Sequence, residues 1–326
     1  MSRKFILFAL AALATGASLS AQTRTTSLET VKGIPNVDQT TQTEDIKFKS
    51  DLFERMTVPV TLGGRGPYRF LVDTGADRTA ISRELASGLK LVAGEEASLH
   101  SISGVSQIAT ATVPQLQLTR REVRNINAPL LASQNMGADG ILGTDSLRYQ
   151  RVMFDFEART LSVVPSSAPD FQAEPGTIVV EGVRKNGRLV VTEATANGRS
   201  LTVVIDTGSQ VSVGNSALRK ALLGAKVLGP SEQVTLESVT GDRINGDYMV
   251  VKQLDIGGVT MKNLAIVFAD AHTFKQLGFE KKPALLLGMN AMRSFKRVSI
   301  DFASRKLRVV VPEHSALDNI RLAARL

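Results

Sequence analysis

The sequence predicts a mostly β protein built from two copies of one domain. Short runs of β-forming residues separated by Gly, Pro or Asn fill most of the chain from residue 56 to 164. Four sequence landmarks then recur in the same order in the second half, offset by 133, 137, 145 and 146 residues. Loop insertions between two copies of a domain explain this drift. One tripeptide recurs easily by chance, but four ordered matches indicate a duplication.

Each landmark pairs a segment of the first half with a segment of the second. The pairs are Phe70–Ser82 with Val203–Asn215, Ser101–Gly104 with Ser238–Gly241, Ile141–Leu147 with Leu286–Met292, and Val152–Val164 with Val298–Val310.

The composition of the 326 residues narrows the chemistry. No cysteine is present, which excludes a thiol nucleophile, a Cys-ligated metal site, a disulfide framework and a lipid-anchored lipoprotein. Thirty-nine Lys and Arg against 31 Asp and Glu give a net charge of +8. The basic residues are scattered, Trp is absent and Tyr occurs three times, so no nucleic-acid partner is expected. Attraction to anionic surfaces stays open.

The N-terminus has the three-part pattern of a secretory signal peptide. Arg3 and Lys4 precede an apolar run from Phe5 to Ala14, and small residues follow up to Ala21. We expect cleavage after residue 20 or 21, export to the periplasm or secretion, and no stable membrane insertion afterwards. An uncleaved anchor is the alternative, although the apolar run is short for a membrane span.

The remaining chain divides by composition and by the repeat. The predicted parts are a signal peptide (1–21), a Thr- and Gln-rich flexible leader or prosegment (22–45), a first domain (46–166), a Pro-containing linker (167–176), a second domain (177–313) and a tail with helical spacing (314–326). Within the first domain we expect strands at Met56–Leu62 and Tyr68–Val72, and a helix over Ser82–Leu89 with Ser82 as its N-cap.

Each copy carries Asp-Thr-Gly directly after a run of β-formers. The glycine permits a tight turn that exposes the acid at the end of a buried strand. Two copies related by a pseudo-twofold axis would bring Asp73 and Asp206 face to face. Two such carboxylates cannot both be ionised, so they share a proton, and one can act as general base on water while the other acts as general acid. A lone Asp-Thr-Gly would instead suggest an Asp that caps a turn.

These motifs resemble those of retropepsin-type aspartic proteases, with two copies fused in one polypeptide. The likeness covers about residues 50 to 312 and is carried by Leu71–Thr79, by the second Asp-Thr-Gly and by the hydrophobic-hydrophobic-Gly elements Ile141–Gly143 and Leu286–Gly288. The resemblance implies an all-β fold of two homologous β-barrel domains related by a pseudo-twofold axis, with few short helices.

The resemblance also implies roles for single residues. Asp73 and Asp206 would be the catalytic pair, Thr74 and Thr207 would cross-link the two loops, and Gly75 and Gly208 would offer N–H groups. Residues 101–106 and 238–243 would be flap hairpins that close over an extended peptide. The flap and cleft residues expected to contact substrate are Ser103, Gly104, Thr240, Gly241 and Asp77.

Two positions differ between the copies. Ala76 follows the first Asp-Thr-Gly, whereas Ser209 follows the second. A Ser209 hydroxyl that donates to Asp206 would favour its ionised form, so we expect Asp206 to be ionised and Asp73 protonated. The acidic Asp77 has the neutral counterpart Gln210, which predicts asymmetric recognition across the cleft.

The expected function is therefore an exported aspartic endopeptidase that acts on peptides or unfolded proteins as a monomer, with no metal or organic cofactor. One alternative is a peptide- or protein-binding module that retains the fold without turnover. Another is a zymogen in which the leader occludes the cleft. The three histidines lie in no ligand-spaced motif, and Asp139, Asp155 and Asp301 are expected at turns.

Overall fold

The computed structural model describes residues 28–30, 44–47, 49–50, 56–118, 121–168, 176–224, 230–312 and 320–322. The predicted signal peptide lies outside these residues, as do most of the leader, residues 169–175 of the linker and most of the tail. Among the described residues, no helix is both long and apolar enough to cross a membrane.

The first half contains fourteen short strands and three short helices in its described residues. The strands are β1 Leu28–Thr30, β2 Glu44–Lys47, β3 Lys49–Ser50, β4 Met56–Leu62, β5 Arg65–Val72, β6 Ala80–Ser82, β7 Val92–Ala93, β8 Ala97–His100, β9 Val105–Ile108, β10 Thr110–Leu118, β11 Arg121–Leu131, β12 Gly140–Leu142, β13 Gln150–Asp155 and β14 Thr160–Pro165. The helices are α1 Arg83–Gly88, α2 Ser133–Met136 and α3 Thr144–Leu147.

The described part of the second half contains twelve strands and three short helices. Its strands are β15 Thr177–Glu181, β16 Val183–Lys185, β17 Arg188–Ala196, β18 Arg199–Ile205, β19 Ser212–Gly214, β20 Glu232–Glu237, β21 Arg243–Ile256, β22 Val259–Phe268, β23 Ala284–Leu287, β24 Arg297–Asp301, β25 Lys306–Val310 and β26 Ile320–Leu322. Its helices are α4 Ser216–Gly224, α5 His272–Gln276 and α6 Met289–Met292.

Each half closes into a barrel through matching strand pairings. In the first half the path β4-β5-β12-β6-β11-β10 returns to β4, and in the second half β17-β18-β23-β19-β22-β21 returns to β17. Closure removes the open edges that a sheet of this length would otherwise expose. The prediction of an all-β fold with two homologous barrel domains and few short helices is confirmed.

A central sheet joins the two barrels and contains the pseudo-twofold axis. Its strand order is β1-β15-β25-β24-β13-β14-β2, so strands of the second half meet strands of the first at the β24–β13 pair. These two strands are antiparallel, and Met153 pairs with Ser299, its own counterpart in the repeat. A residue that pairs with its own repeat must lie beside the axis that relates the two copies.

Short sequence motifs explain where several strands and helix α1 begin and end. The predicted strand Met56–Leu62 and helix are observed, and the second strand begins at Arg65 rather than Tyr68. The Ser82 hydroxyl accepts a hydrogen bond from the N–H of Leu85, which caps α1 as expected. Asp155 and Asp301 accept N–H bonds from the turns that follow their strands, as the sequence indicates.

Two segments differ from their predicted conformation where the structure describes them. In the leader, Leu28–Thr30 and residues 44–45 lie in strands at opposite edges of the central sheet. The first strand pairs with β15 and the second with β14. In the tail, Ile320–Leu322 forms a strand against β22 rather than a helix. Ile320 and Leu322 are two residues apart in the sequence, a spacing that fits the strand period of two but not the helical period of 3.6.

We expect the central sheet to determine the stability of the whole molecule. Phe154 on β13 is fully buried and packs in a core that includes residues of both halves. Phe154→Ala should lower the free energy of unfolding by about 3–5 kcal/mol in urea denaturation. Tyr149→Ala, at a side chain that is 58% exposed, is the control and should change it by less than about 0.5 kcal/mol. An equal effect of both changes would contradict this account.

Candidate active site

The two Asp-Thr-Gly loops begin where matching strands end. The last residues of β5 and β18 are buried, and each strand leads into its aspartate. The N–H of Asp73 donates to the carbonyl of Leu142 at 3.0 Å, and the N–H of Asp206 donates to that of Leu287 at 3.0 Å. In each half, the strand of the hydrophobic-hydrophobic-Gly element therefore anchors the base of the acidic loop.

The glycine of that element allows the loop to lie close beneath it. A Cβ on Gly143 would lie 2.5 Å from the backbone carbon of Arg78, and one on Gly288 would lie 2.7 Å from that of Val211. Both clashes involve backbone atoms, which cannot move aside as a side chain does. The repeated Gly is therefore required by packing under the site.

Both aspartates are completely buried, and they meet between the two halves. The N–H of Gly75 donates to Oδ1 of Asp73 at 2.7 Å, and the N–H of Gly208 donates to Oδ1 of Asp206 at 3.1 Å. A Cβ on Gly208 would lie 2.2 Å from Cγ of Asp73, so the carboxylate from the first half rests on the loop of the second. The structure thus brings the predicted pair together.

The two threonines cross-link the loops symmetrically. The hydroxyl of Thr74 accepts a bond from the N–H of Thr207 at 3.0 Å and donates to the carbonyl of Ile205 at 2.9 Å. The hydroxyl of Thr207 accepts from the N–H of Thr74 at 3.0 Å and donates to the carbonyl of Val72 at 2.7 Å. All four bonds are buried and all four cross between the halves, so they fix the separation of the two acids.

Burial raises the pKa of Asp206 to about 6, because the ionised form has lost its water. The positive charge of Arg188 and the backbone N–H groups of Gly208 and Ser209 oppose this rise. The pair therefore holds a proton under mildly acidic conditions, as general acid–base chemistry on water requires.

The role expected of the Ser209 hydroxyl is wrong. It donates to the carbonyl of Val211 at 2.7 Å and thus closes its own turn instead of binding Asp206. A carbonyl two residues ahead lies within easy reach of a short serine side chain. The hydroxyl therefore provides no basis for assigning the ionised state to Asp206 and the protonated state to Asp73.

Sequence reasoning missed Arg188, which joins the two halves beside the pair. Its fully buried guanidinium donates from Nε to the carbonyl of Gly75 at 2.8 Å, and its Nη1 lies 2.9 Å from Oδ1 of Asp77. Burial lowers the pKa of Arg188, and the charges of Asp77, Asp206 and Asp73 raise it. The predicted cleft residue Asp77 is therefore held in an ion pair, and its counterpart Gln210 lines a cavity instead.

A cavity of about 310 Å³ opens beside Asp206 on the side of the second half. Apolar side chains form most of its walls, and the polar Asn135, Gln210 and Glu237 also contribute. The apolar residues are Ile102, Val211, Val213, Leu236, Val239, Ala271 and Leu286. A side chain of a bound molecule could therefore lose its contact with water next to the acid.

The two predicted flaps are hairpins whose tips meet each other. Flap 1 (Ala97–Ile108) and flap 2 (Glu232–Tyr248) turn at Gly104 and Gly241, whose φ values are +152° and +86°. Ser103 of flap 1 donates to Oδ2 of Asp242 in flap 2 at 3.2 Å, and Thr240 donates to the same oxygen at 2.7 Å. The flaps therefore contact one another directly.

A second hydrogen-bond network supports each acidic loop from below. In the first half, the carboxylate of Asp145 accepts from the N–H and hydroxyl of Thr79. In the second half, Asn290 takes its place and accepts from the N–H and hydroxyl of Ser212. Burial raises the pKa of Asp145, while its bonds to Thr79 lower it. Among the described residues, no cluster of three or more His, Asp or Glu is arranged to hold a metal ion.

The close contact between Gly208 and Asp73 predicts a sharp response to one methyl group. Gly208→Ala should lower the free energy of unfolding by at least about 2 kcal/mol, because the added Cβ overlaps the buried carboxylate. Gly88→Ala is the matched control, since a Cβ there meets no atom within 4 Å, and it should be neutral or stabilising by up to about 1 kcal/mol. A neutral Gly208→Ala would mean that the carboxylate does not lie on this loop.

Comparison with known families agrees with this geometry. Residues 58–149 match the family described as "gag-polyprotein putative aspartyl protease", and residues 192–291 match the family described as "Aspartyl protease". The first match contains Asp73 and the second contains Asp206. No curated protein matches the chain. The chain therefore belongs to the retropepsin-like aspartyl protease families, with one family domain in each half.

Proposed function

We propose that the protein is an aspartic endopeptidase that hydrolyses peptide bonds through a water activated by Asp73 and Asp206. The observation that carries this proposal is the meeting of two fully buried carboxylates on loops that four inter-half hydrogen bonds hold together. Burying two like charges is costly unless they share a proton, and structural turns do not require this arrangement.

The chemistry follows from one proton shared by the two acids. The ionised carboxylate takes a proton from the water, whose oxygen attacks the carbonyl carbon of the peptide bond. The protonated carboxyl gives its proton to the carbonyl oxygen, which produces a neutral tetrahedral intermediate. The carboxyl that now holds the proton gives it to the amine nitrogen, while the other carboxylate takes a proton from a hydroxyl of the intermediate. The C–N bond then breaks, the amine and the carboxylic acid leave, and the pair again holds one proton.

The substrate would be an extended peptide segment. Flap 1 is a two-stranded sheet and β20 of flap 2 is an edge strand, and an extended backbone can pair with such edges. The cavity beside Asp206 would accept one side chain of the substrate. Within this proposal the protein is exported, on the evidence of its N-terminal sequence, and works as a monomer because one chain supplies both acids.

The first test is cleavage of a mixed peptide library from pH 3 to 8. Wild-type protein should cut peptides, whereas Asp73→Asn and Asp206→Asn should each lower the rate by at least about 10³-fold, because the amide can neither accept nor relay the proton. Asp139→Asn is the matched control. Its carboxylate accepts from the N–H of Arg69 away from the pair, so its rate should stay within about twofold.

The outcomes separate the candidate functions. Cleavage that survives both substitutions at the pair would exclude the proposed mechanism. Peptide binding without cleavage by the folded wild type would instead indicate a binding module that retains the fold. Activity that appears only after removal of residues 22–45 would indicate a zymogen.

The pH dependence follows from the raised pKa of Asp206. Cleavage should decline about tenfold per pH unit above roughly pH 6, because the last shared proton leaves the pair there. Ser209→Ala should leave this midpoint within about 0.3 pH units of the wild-type value, because the Ser209 hydroxyl binds the carbonyl of Val211 and not the carboxylate of Asp206. A midpoint that moves by a full unit would restore a role for that hydroxyl.

A further inference from the structure

Flap 1 is fastened to the second half by a pair of histidines that the catalytic proposal does not use. Nδ1 of His100, at the end of β8, lies 3.0 Å from Nε2 of His272, the first residue of α5. The two rings are stacked, with centroids 5.2 Å apart. The backbone N–H of His272 also donates to the carbonyl of Ile102 at 2.8 Å, so backbone and side chains meet at one place.

This contact lies next to one wall of the cavity beside Asp206. Ile102, which lies between the histidine contact and the flap tip, lines the cavity beside Asp206. Ser103 holds the tip to flap 2 through Asp242. A separation of flap 1 from α5 would therefore remove the wall that Ile102 forms.

We propose that His100 and His272 form a pH-sensitive latch that keeps flap 1 closed near neutral pH and releases it in acid. In the neutral pair, one ring nitrogen donates and the other accepts. A first proton can be shared between the rings, but a second leaves two N–H groups and two positive charges facing each other at 3.0 Å. That state is stable only if the rings move apart.

The surroundings of the pair favour its neutral form in the closed state. Burial lowers the pKa of His272, and the positive charge of Lys275 one turn further along α5 lowers it again. The side chain of Gln276 lies 3.0 Å from Nε2 of His272 and carries no charge. Flap 1 has no other titratable side chain between Ala97 and Ile108.

Acidic residues of flap 2 and of the segment before α5 bind partners other than the two histidines. Asp242 of flap 2 accepts from Ser103 and Thr240, and Asp270, which precedes α5, accepts from the N–H and hydroxyl of Ser216. Glu237 of flap 2 pairs with Arg243. Because the closed state disfavours the doubly charged pair, closure is complete above the ordinary histidine pKa near 6.5 and is lost as the pH falls below it.

The test measures the position of the flap directly, so its result does not depend on catalysis. The chain has no cysteine, and Val105→Cys with Leu223→Cys places two spin labels on exposed sites of flap 1 and α4. The Asp73→Asn change is included so that self-cleavage cannot shorten the chain. Pulsed electron resonance should show a single narrow distance distribution at pH 7.5, and at pH 4.5 a broader distribution with a shifted mean.

Three variants decide whether the histidines cause the change. His100→Asn and His272→Gln place a non-titrating amide where each ring nitrogen lies, and either should reduce the pH-dependent shift at least fivefold. Lys275→Gln removes the charge that disfavours protonation, so its opening midpoint should move to higher pH. A second label pair, Arg243→Cys with Val92→Cys, reports flap 2, whose described residues contain no histidine, and should respond less.

The flap measurement tests the latch, and the cleavage assay tests the proposed function. A wild-type distance that does not change between pH 7.5 and 4.5 would overturn it, and so would an unchanged pH response in both histidine variants. A lack of peptide cleavage with normal flap opening would count against the proposed function but leave the latch in place. Cleavage with a flap that ignores pH would do the reverse.

Discussion

The burial of two like charges at one point is the constraint on which the rest of the structure depends. Asp73 and Asp206 are both inaccessible to water, and in isolation either carboxylate would be costly to hold there. The N–H groups of Gly75 and Gly208, the crossed hydroxyls of Thr74 and Thr207 and the charge of Arg188 offset this cost. These groups come from both halves, so neither half can form the site alone.

The central sheet provides the accuracy that this arrangement requires. Because Met153 pairs with its repeat counterpart Ser299, the β13–β24 pair fixes the pseudo-twofold axis by backbone hydrogen bonds rather than by side-chain packing alone. The Asp-Thr-Gly loops are related by the same axis, and their crossed threonine bonds have closely similar lengths in both directions. A shift of one residue in the central register would turn buried side chains outward and separate the acids.

Features that depend on local sequence were predictable, and features that depend on distant contacts were not. The repeat, the Asp-Thr-Gly turns and the Ser82 cap follow from short motifs and residue conformational preferences, and the flap hairpins were implied by the family resemblance. Arg188 lies 111 residues after Asp77, and nothing around it in the sequence indicates its partner. The Ser209 hydroxyl was expected to bind Asp206, and only the turn geometry shows that it donates to the carbonyl of Val211. The edge strand Ile320–Leu322 likewise depends on a free edge of β22.

The two halves have the same residues at the Asp-Thr-Gly loops but different residues at the positions around them. Asp77 binds Arg188 whereas Gln210 lines a cavity, and the carboxyl of Asp145 stands where the second half has the amide of Asn290. A fused pair permits this because each copy mutates separately, which two identical chains cannot do. The histidine contact is the same kind of change, since flap 2 has Glu237 at the position of His100. A flap fastened on one side can open from that side while the symmetric core that holds the acids stays unchanged.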